Sequence, residues 1–207
     1  MALTIQEYWF LPVRMLPAYG ARFGALPGSV AELKFHLWWI AGTLLLGVIL
    51  PLLLLRVPPR ELGLRAGRRR DVSTYLGLYL VMVPVLIFIS REPQFHRTYP
   101  LYQPIAGPWS WQFLVFELAY CLQFLAVEFL FRGVLVLGLK PTLGRYSIAV
   151  MLAPYCMLHF HKPFPEALAA IVAGVVLGVL AYESETVLFG WGLHYGIALT
   201  MDRLALM

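Results

Sequence analysis

Long apolar runs, separated by short polar or proline-rich segments, dominate the pattern of the chain. They cover approximately residues 37–55, 72–90, 109–139, 146–160, 166–182 and 187–201. A transmembrane helix requires about 20 mostly apolar residues, and the first three runs reach that length. The last three runs are shorter, which fits helices that tilt little, that thin the bilayer or that are shielded inside a bundle. The pattern therefore predicts an all-α, polytopic membrane helical bundle of about six transmembrane helices.

Two segments depart from a simple series of spans. Residues 1–35 mix aromatic side chains with Pro12, Pro17 and Pro27, which exclude one long helix. We therefore expect an N-terminal interfacial segment over residues 1–35 and one membrane-embedded domain over residues 36–207. The third run is too long for a perpendicular span, so we expect a tilt, or a bend at Gly133 or Gly138.

Composition and charge support a membrane protein and give its orientation. The chain has 207 residues, of which 60% are hydrophobic and 13% are charged, whereas a soluble domain has about 25% charged residues. Six of its arginines lie between Arg56 and Asp71, next to predicted spans. This concentration predicts contact with lipid headgroups rather than nucleic acid, and a cytoplasmic location for the loop. We expect a multi-pass protein of the bacterial cytoplasmic (inner) membrane, with its N-terminus outside.

Beyond the first residue of each predicted span lie five carboxylate, guanidinium or imidazole side chains, at depths where a charge costs about 2.5–3.5 kcal/mol on insertion scales. They are Glu117, Glu128, Arg132, His159 and His194. Glu128 and Arg132 are four residues apart, so they share a helix face and can form an ion pair. Such a pair indicates either a functional site or an ion pair that only fixes the packing of the bundle.

Together with the two histidines, Glu128 allows three kinds of chemistry. Glu128, His159 and His194 come from three separate helices, and Glu117 is too far along its helix, by about 16 Å, to join Glu128. The three groups suit general acid–base hydrolysis with oxyanion stabilisation. They also suit a metal site of two histidines and one carboxylate, or a proton or ion relay.

The order and spacing of these residues resemble the CPBP family. The segment Glu128–Gly133, the pair Tyr155 and His159, and then His194 in a final short helix carry this resemblance. The segment Glu61–Arg65 is also similar. The resemblance covers residues 56–200 and is strongest over residues 117–200. The family includes the CAAX prenyl endopeptidases and the bacteriocin-processing or Abi proteins.

The resemblance implies a glutamic intramembrane protease that needs no cofactor and no metal. By analogy, Glu128 and His159 activate water, and His194 stabilises the oxyanion. Arg132 orients Glu128, and Tyr155 takes the place of the phenylalanine of the family. The implied partners are the lipid bilayer and a membrane-anchored protein or peptide, cleaved near its end at a C-terminal tail or a leader.

Two positions depart from the family pattern. Val127 stands where the family has its first glutamate, the water-activating base, and Ala198 stands where the family has an asparagine near the oxyanion. Neighbouring helix positions point about 100° apart, so Glu128 does not simply replace a base at position 127. The sequence therefore favours a divergent endopeptidase. The alternatives are a catalytically inactive relative that binds membrane substrates, and a metal-dependent hydrolase or transporter.

Overall fold

The computed structural model describes residues 27–207, except residues 105, 108, 161 and 163. All regular structure in this part of the chain is helical, which confirms the predicted all-α membrane bundle. The helices are α1 (Val30–Leu55), α2 (Arg69–Ile89), α3 (Pro93–Thr98), α4 (Trp111–Leu143), α5 (Tyr146–Met157), α6 (Phe164–Ser184) and α7 (Leu188–Ala205).

The six predicted spans correspond in order to α1, α2, α4, α5, α6 and α7. Among the described residues, α1, α2, α4 and α6 are long and apolar enough to cross a membrane. Helix α5 has only 12 residues and α7 has 18. The chain is therefore a multi-pass membrane protein in which two shorter helices complete the bundle.

Helix α1 begins earlier than the apolar run predicts. The Ser29 hydroxyl accepts a hydrogen bond of 3.2 Å from the backbone N–H of Glu32, which caps the helix at Val30. The expected interfacial segment over residues 1–35 therefore ends inside α1, and its first 26 residues lie outside the described part. The helix ends at Arg56, whose φ of 53° breaks it.

Helix α4 forms the centre of the bundle and packs against α1, α5, α6 and α7. Half of its most apolar window is buried, compared with 11% for α2. Many apolar side chains of α1 and α2 are instead exposed, among them Leu54 of α1 at 70% and Phe88 of α2 at 69%. These surfaces suit contact with lipid, whereas α4 carries its polar groups inside the protein.

Helix α4 changes its geometry immediately after Glu128. It is α-helical over Trp111–Glu128 and π-helical over Phe129–Leu137, and the N–H of Gly138 donates to the carbonyl of Gly133 at 2.9 Å. Such wide helical turns occur often at functional sites. The region where a bend was one expectation is a π-helical stretch, followed by a turn at Gly138.

The loop between α1 and α2 closes one end of the bundle, which we call the arginine-rich end. The N–H of Val187 donates to the carbonyl of Gly63 at 3.0 Å, and the Thr186 hydroxyl donates to the carbonyl of Arg65 at 2.7 Å. Gly63 has a φ of +84°, which favours glycine. A Cβ on Gly133 would lie 2.6 Å from the carbonyl oxygen of Leu62. The loop therefore packs against α4 just after Arg132.

Helix α6 holds α5 in place through small residues. A Cβ at Gly174 would lie 2.6 Å from Leu152 Cδ1 and 3.0 Å from Tyr155 Cδ1. Close approach through small side chains is a common way for membrane helices to pack. This packing fixes Tyr155, and with it the end of α5 where His159 follows.

Candidate active site

Glu128 is the centre of a polar cluster inside the bundle. Its side chain is completely buried, and it lies on the last α-helical turn of α4 before the π-helical stretch. One of its oxygens, Oε1, is 3.1 Å from Arg132 Nη1 and 3.0 Å from His194 Nδ1. Two different helices, α4 and α7, therefore meet at a single carboxylate oxygen.

Arg132 supplies the positive charge that a buried carboxylate requires. It lies one turn after Glu128 on the same helix and is also completely buried. Its guanidinium carbon lies 4.1 Å from the centre of the Tyr155 ring, a cation–π contact with α5. Because a buried charge is costly without its partner, this contact and the ion pair fix Glu128 in one orientation.

His159 lies two residues beyond the end of α5 and is half-buried. Its Nδ1 atom is 3.1 Å from the backbone carbonyl oxygen of Tyr155, and its ring centre is 5.0 Å from that of Tyr155. A carbonyl oxygen can only accept a hydrogen bond, so the proton of the neutral ring belongs on Nδ1. The other nitrogen, Nε2, is then a free acceptor.

His194 is the part of the cluster that remains accessible. Its side chain is 19% exposed, whereas Glu128 has no exposed surface. The ring packs against Phe124 with ring centres 4.6 Å apart, and the carboxylate of Glu128 accepts a hydrogen bond from Nδ1–H. Both contacts limit the rotation of the ring. Because His194 is partly exposed and Glu128 is not, the imidazole rather than the carboxylate is the group of this pair that water or a substrate can reach.

The structure brings the predicted residues together to different degrees. Glu128, Arg132 and His194 contact one another directly, and Tyr155 joins them through Arg132. His159 joins through Tyr155 and is close enough to His194 for an electrostatic interaction. Among the described residues, no hydrogen bond links His159 to Glu128. The cluster is therefore one ion-paired centre with His159 at its edge.

The two positions that the sequence resemblance marks as substituted, Val127 and Ala198, lie in apolar surroundings. Val127 is half-buried against the apolar cluster that contains Phe131 and Tyr155. Ala198 is buried in a separate cluster that contains Phe116 and Tyr120. Adjacent helix positions point in different directions, so Val127 packs towards α5 and α6 while Glu128 contacts α7.

Gly190 is a site residue that the sequence analysis missed. A Cβ at this position would lie 2.6 Å from Glu128 Oε2. This oxygen is buried and has no hydrogen-bond partner among the described residues. The spacing in the sequence could have identified it, because Gly190 precedes His194 by four residues and so shares its helix face.

Tyr75 of α2 was also missed by the sequence analysis. It interacts electrostatically with Glu128 and Arg132.

In the described part of the chain, no group of three or more histidine, cysteine, aspartate or glutamate side chains could hold a metal ion. Glu117 lies apart from the Glu128 cluster, as its spacing predicts, and its Oε2 accepts a hydrogen bond of 3.3 Å from the Tyr195 hydroxyl.

Residues 109–200 match the model of one protein family, described as type II CAAX prenyl endopeptidase Rce1-like. The matched segment contains Glu128, Arg132, His159 and His194, together with all of α5 and α6. No curated protein matches the chain. No solved structure matches it either.

Proposed function

Because the chain is a member of the CPBP family through residues 109–200, we propose that it is a divergent intramembrane endopeptidase centred on Glu128, His159 and His194. The Rce1-like family is a protease family, which supports hydrolysis of a peptide bond. The proposed substrate is a membrane-anchored protein or peptide, cut near its end at a C-terminal tail or a leader. The apolar surface of the bundle supports access from the bilayer.

We assign the base to His159. Its Nδ1–H donates a hydrogen bond to the carbonyl of Tyr155. The other nitrogen, Nε2, is therefore free to accept a proton from water. Glu128 is a weaker candidate for the base because Oε1 already contacts both Arg132 and His194. This assignment replaces the joint role of Glu128 and His159 that the family resemblance implies.

His194 is the proposed stabiliser of the oxyanion. Glu128 accepts a hydrogen bond from Nδ1–H and so fixes the ring, as a carboxylate does in other carboxylate–histidine pairs. When His194 carries both ring protons, its Nε2–H donates to the oxygen that becomes negative during attack. Arg132 and Tyr155 act as positioning residues because they hold Glu128.

The proposed reaction needs only water, the scissile peptide bond and the side chains of His159 and His194. His159 Nε2 takes a proton from water as the water oxygen bonds to the scissile carbonyl carbon. The carbonyl oxygen becomes an oxyanion, paired with His194. The C–N bond then breaks, and the proton on His159 passes to the leaving amine. The products are a carboxylic acid, which keeps the second proton of the water, and an amine; that proton then passes from the acid to the amine or to solvent, and both histidines return to their starting states.

One observation carries this proposal: a single oxygen of a fully buried glutamate contacts both a buried arginine and a histidine from another helix. A structural ion pair alone needs only Glu128 and Arg132. The additional histidine, which is partly exposed, provides a group that can reach a substrate.

The experiment uses the full-length protein in lipid nanodiscs, with a set of lipidated and unlipidated tail peptides. Replacing a general base costs about 10²–10⁴ in rate, and removing an oxyanion donor costs about 10²–10³. We therefore expect His159→Ala and His194→Ala to lower cleavage by about these factors respectively. His96→Ala, at an exposed histidine of α3, serves as the matched control. Cleavage that persists in both site variants contradicts the proposal.

A catalytically inactive, substrate-binding relative is the second candidate, and Val127 favours it. The family has its water-activating glutamate at this position, and here an apolar side chain packs against an apolar cluster. Such a protein binds the same peptides in the nanodisc without cleaving them. Binding is measured with labelled peptide, so that the two candidates give opposite results in parallel assays.

A further inference from the structure

A cavity of about 500 Å³ lies at the arginine-rich end of the bundle, between the loop that joins α1 to α2 and the ends of α4 and α6. Among the described residues, five charged side chains line it: Arg60, Glu61, Arg65, Lys140 and Glu185. Arg65 is 45% exposed and Glu185 is 46% exposed, so a ligand can reach the wall from outside the protein. The candidate active site is separate, because Glu128 and Arg132 are completely buried.

The wall of this cavity carries more positive than negative charge. Glu185 is shared by two of the cations, at 2.8 Å from Lys140 Nζ and 3.2 Å from Arg65 Nη1. Within the described part of the chain, the side chains of Arg60 and Glu61 form no hydrogen bond and no ion pair. Three cations therefore face two carboxylates, which leaves one net positive charge. A ligand with a single negative charge would balance it.

The surface around the cavity has the same sign of charge. It carries Arg56, the run Arg68–Arg70 and Arg145, against the carboxylates of Asp71 and Glu183. Together with the wall, the described residues of this end contain eight cations and four carboxylates, a net charge of +4. Basic pockets between membrane helices bind the headgroups of anionic lipids, and clusters of arginine next to a span attract such lipids.

An exposed apolar stripe on α6 leads to the same cavity. It consists of Leu168, Val172, Val175 and Val179, which are three or four residues apart and 40–63% exposed. Tyr182, the next position of this series, lines the cavity, and Lys140 Nζ lies 4.4 Å from the centre of its ring. At about 1.5 Å per residue the stripe is about 16 Å long, close to half of a hydrocarbon core of about 30 Å. It therefore matches the depth of one leaflet.

We propose that the cavity and the stripe together bind one anionic phospholipid. Its phosphate faces Arg60, Arg65 and Lys140, and one of its acyl chains lies along the stripe on α6. A zwitterionic lipid would leave the net charge of the wall unbalanced, and a free phosphate ion would gain nothing from the stripe. This site is not a part of the proposed peptidase function and does not depend on it.

The choice of headgroup is tested with phosphatidylglycerol and with phosphatidylcholine that has the same acyl chains. Native mass spectrometry of the full-length protein in detergent, titrated with each lipid, measures the affinities. We expect one phosphatidylglycerol to bind more tightly than phosphatidylcholine. One basic residue near the membrane surface contributes about fivefold to the affinity for an anionic lipid, so we expect Arg60→Gln to lower this affinity by about that factor. Equal affinities of the native protein for the two lipids overturn the proposal.

Arg69→Gln is the matched control for Arg60→Gln. Arg69 is also exposed, has no side-chain partner among the residues that the structure describes, and lies at the same end of the bundle, but it does not line the cavity. Both changes remove one charge and break no contact, so both variants should fold, which thermal unfolding in the same detergent checks. Equal losses of affinity in the two variants would show a general surface attraction and overturn the assigned cavity.

The position of the acyl chain is tested with phosphatidylglycerol that carries a photoreactive diazirine on that chain. We expect the crosslinked peptides to come from the stripe on α6, and their yield to fall in Arg60→Gln but not in Arg69→Gln. Crosslinks spread equally over α1, α2 and α6 contradict a defined acyl site.

Soluble glycerol phosphate separates a bound lipid from a bound phosphate ester, because it has the charged group without the acyl chains. We expect a large excess of it to leave phosphatidylglycerol bound. Displacement at concentrations similar to those of the lipid would assign the cavity to a free phosphate ester and overturn the proposal. None of these measurements uses cleavage, so they decide the lipid site whether or not the chain is an active peptidase.

Discussion

Gly190 of α7 lies directly against the carboxylate of Glu128, at a distance that leaves no room for a side chain. A Cβ at Gly190 would be 2.6 Å from Glu128 Oε2, and the same carboxylate accepts a hydrogen bond from His194 one turn later on α7. The position of α7 against α4 therefore depends on a glycine at this point.

We expect Gly190→Ala to push Glu128 away from His194 and to lower cleavage by about 10²-fold, since a shift of about 1 Å can have this effect. Gly192→Ala is the matched control, because a Cβ there meets nothing within 4 Å. In a helix the control change is itself favourable by about 0.5–1 kcal/mol. Equal cleavage rates for the two variants would show that Gly190 has no role in the site.

The ion pair between Glu128 and Arg132 gives a prediction about stability. Removing one partner of a buried pair typically costs about 3–5 kcal/mol, whereas replacing both can be close to neutral. We therefore expect Arg132→Met to destabilise the protein strongly and Glu128→Gln/Arg132→Met to recover much of the loss. Thermal unfolding of all variants in the same nanodiscs measures this, and a double variant no more stable than Arg132→Met contradicts the pairing.

The turn between α6 and α7 gives a pH-dependent prediction. Lys140 donates a hydrogen bond of 2.8 Å to Glu185, and with its charge it lowers the pKa of Glu185 below the ordinary value of 4.5. A lowered pKa in the folded state stabilises the protein above the unfolded value, and this contribution disappears as the pH falls through the folded pKa.

At pH 7 we expect Glu185→Gln to cost at most about 1 kcal/mol, because the side chain is 46% exposed and solvent weakens the ion pair. The difference from the native protein should shrink as the pH falls below 4.5. The control is Glu183→Gln, whose pair with Arg145 is more exposed and should contribute little. Unfolding is followed between pH 3 and 7, and a cost that stays constant over this range contradicts the assignment.

Val127→Glu tests whether the scaffold accepts the base that the sequence resemblance implies at this position. The new carboxylate would lie beside the cluster that contains Tyr155, on the side of α4 that faces α5. If the native chain is impaired by Val127, we expect Val127→Glu to raise cleavage, and Ala198→Asn to raise it further when both are present. Val127→Gln, which adds the same bulk without a base, is the control.

A native protein that already cleaves at an ordinary enzyme rate excludes the inactive-binder candidate. Ala198 lies among aromatic side chains, where an unpaired amide is costly. We therefore expect Ala198→Asn alone to lower the unfolding temperature. A rise in cleavage for the double variant despite this loss would separate catalysis from stability.

The sequence determined the helices and the residues that carry the chemistry. Apolar runs gave six helices in their observed order, because a membrane span is a local property of about 20 residues. The rarity of ionisable groups in those runs singled out Glu128, Arg132, His159 and His194, since each must be compensated inside an apolar environment. The spacing of four residues correctly predicted the ion pair on α4.

The tertiary structure decided how these groups meet. The pairing of His194 with Glu128 Oε1 and the closeness of Gly190 to Glu128 both depend on how α7 is aligned along α4. The tautomer of His159 depends on a carbonyl that becomes available only where α5 ends. A local pattern fixes which face of a helix is polar, but the partner of each polar atom is fixed by the packing of helices far apart in the chain.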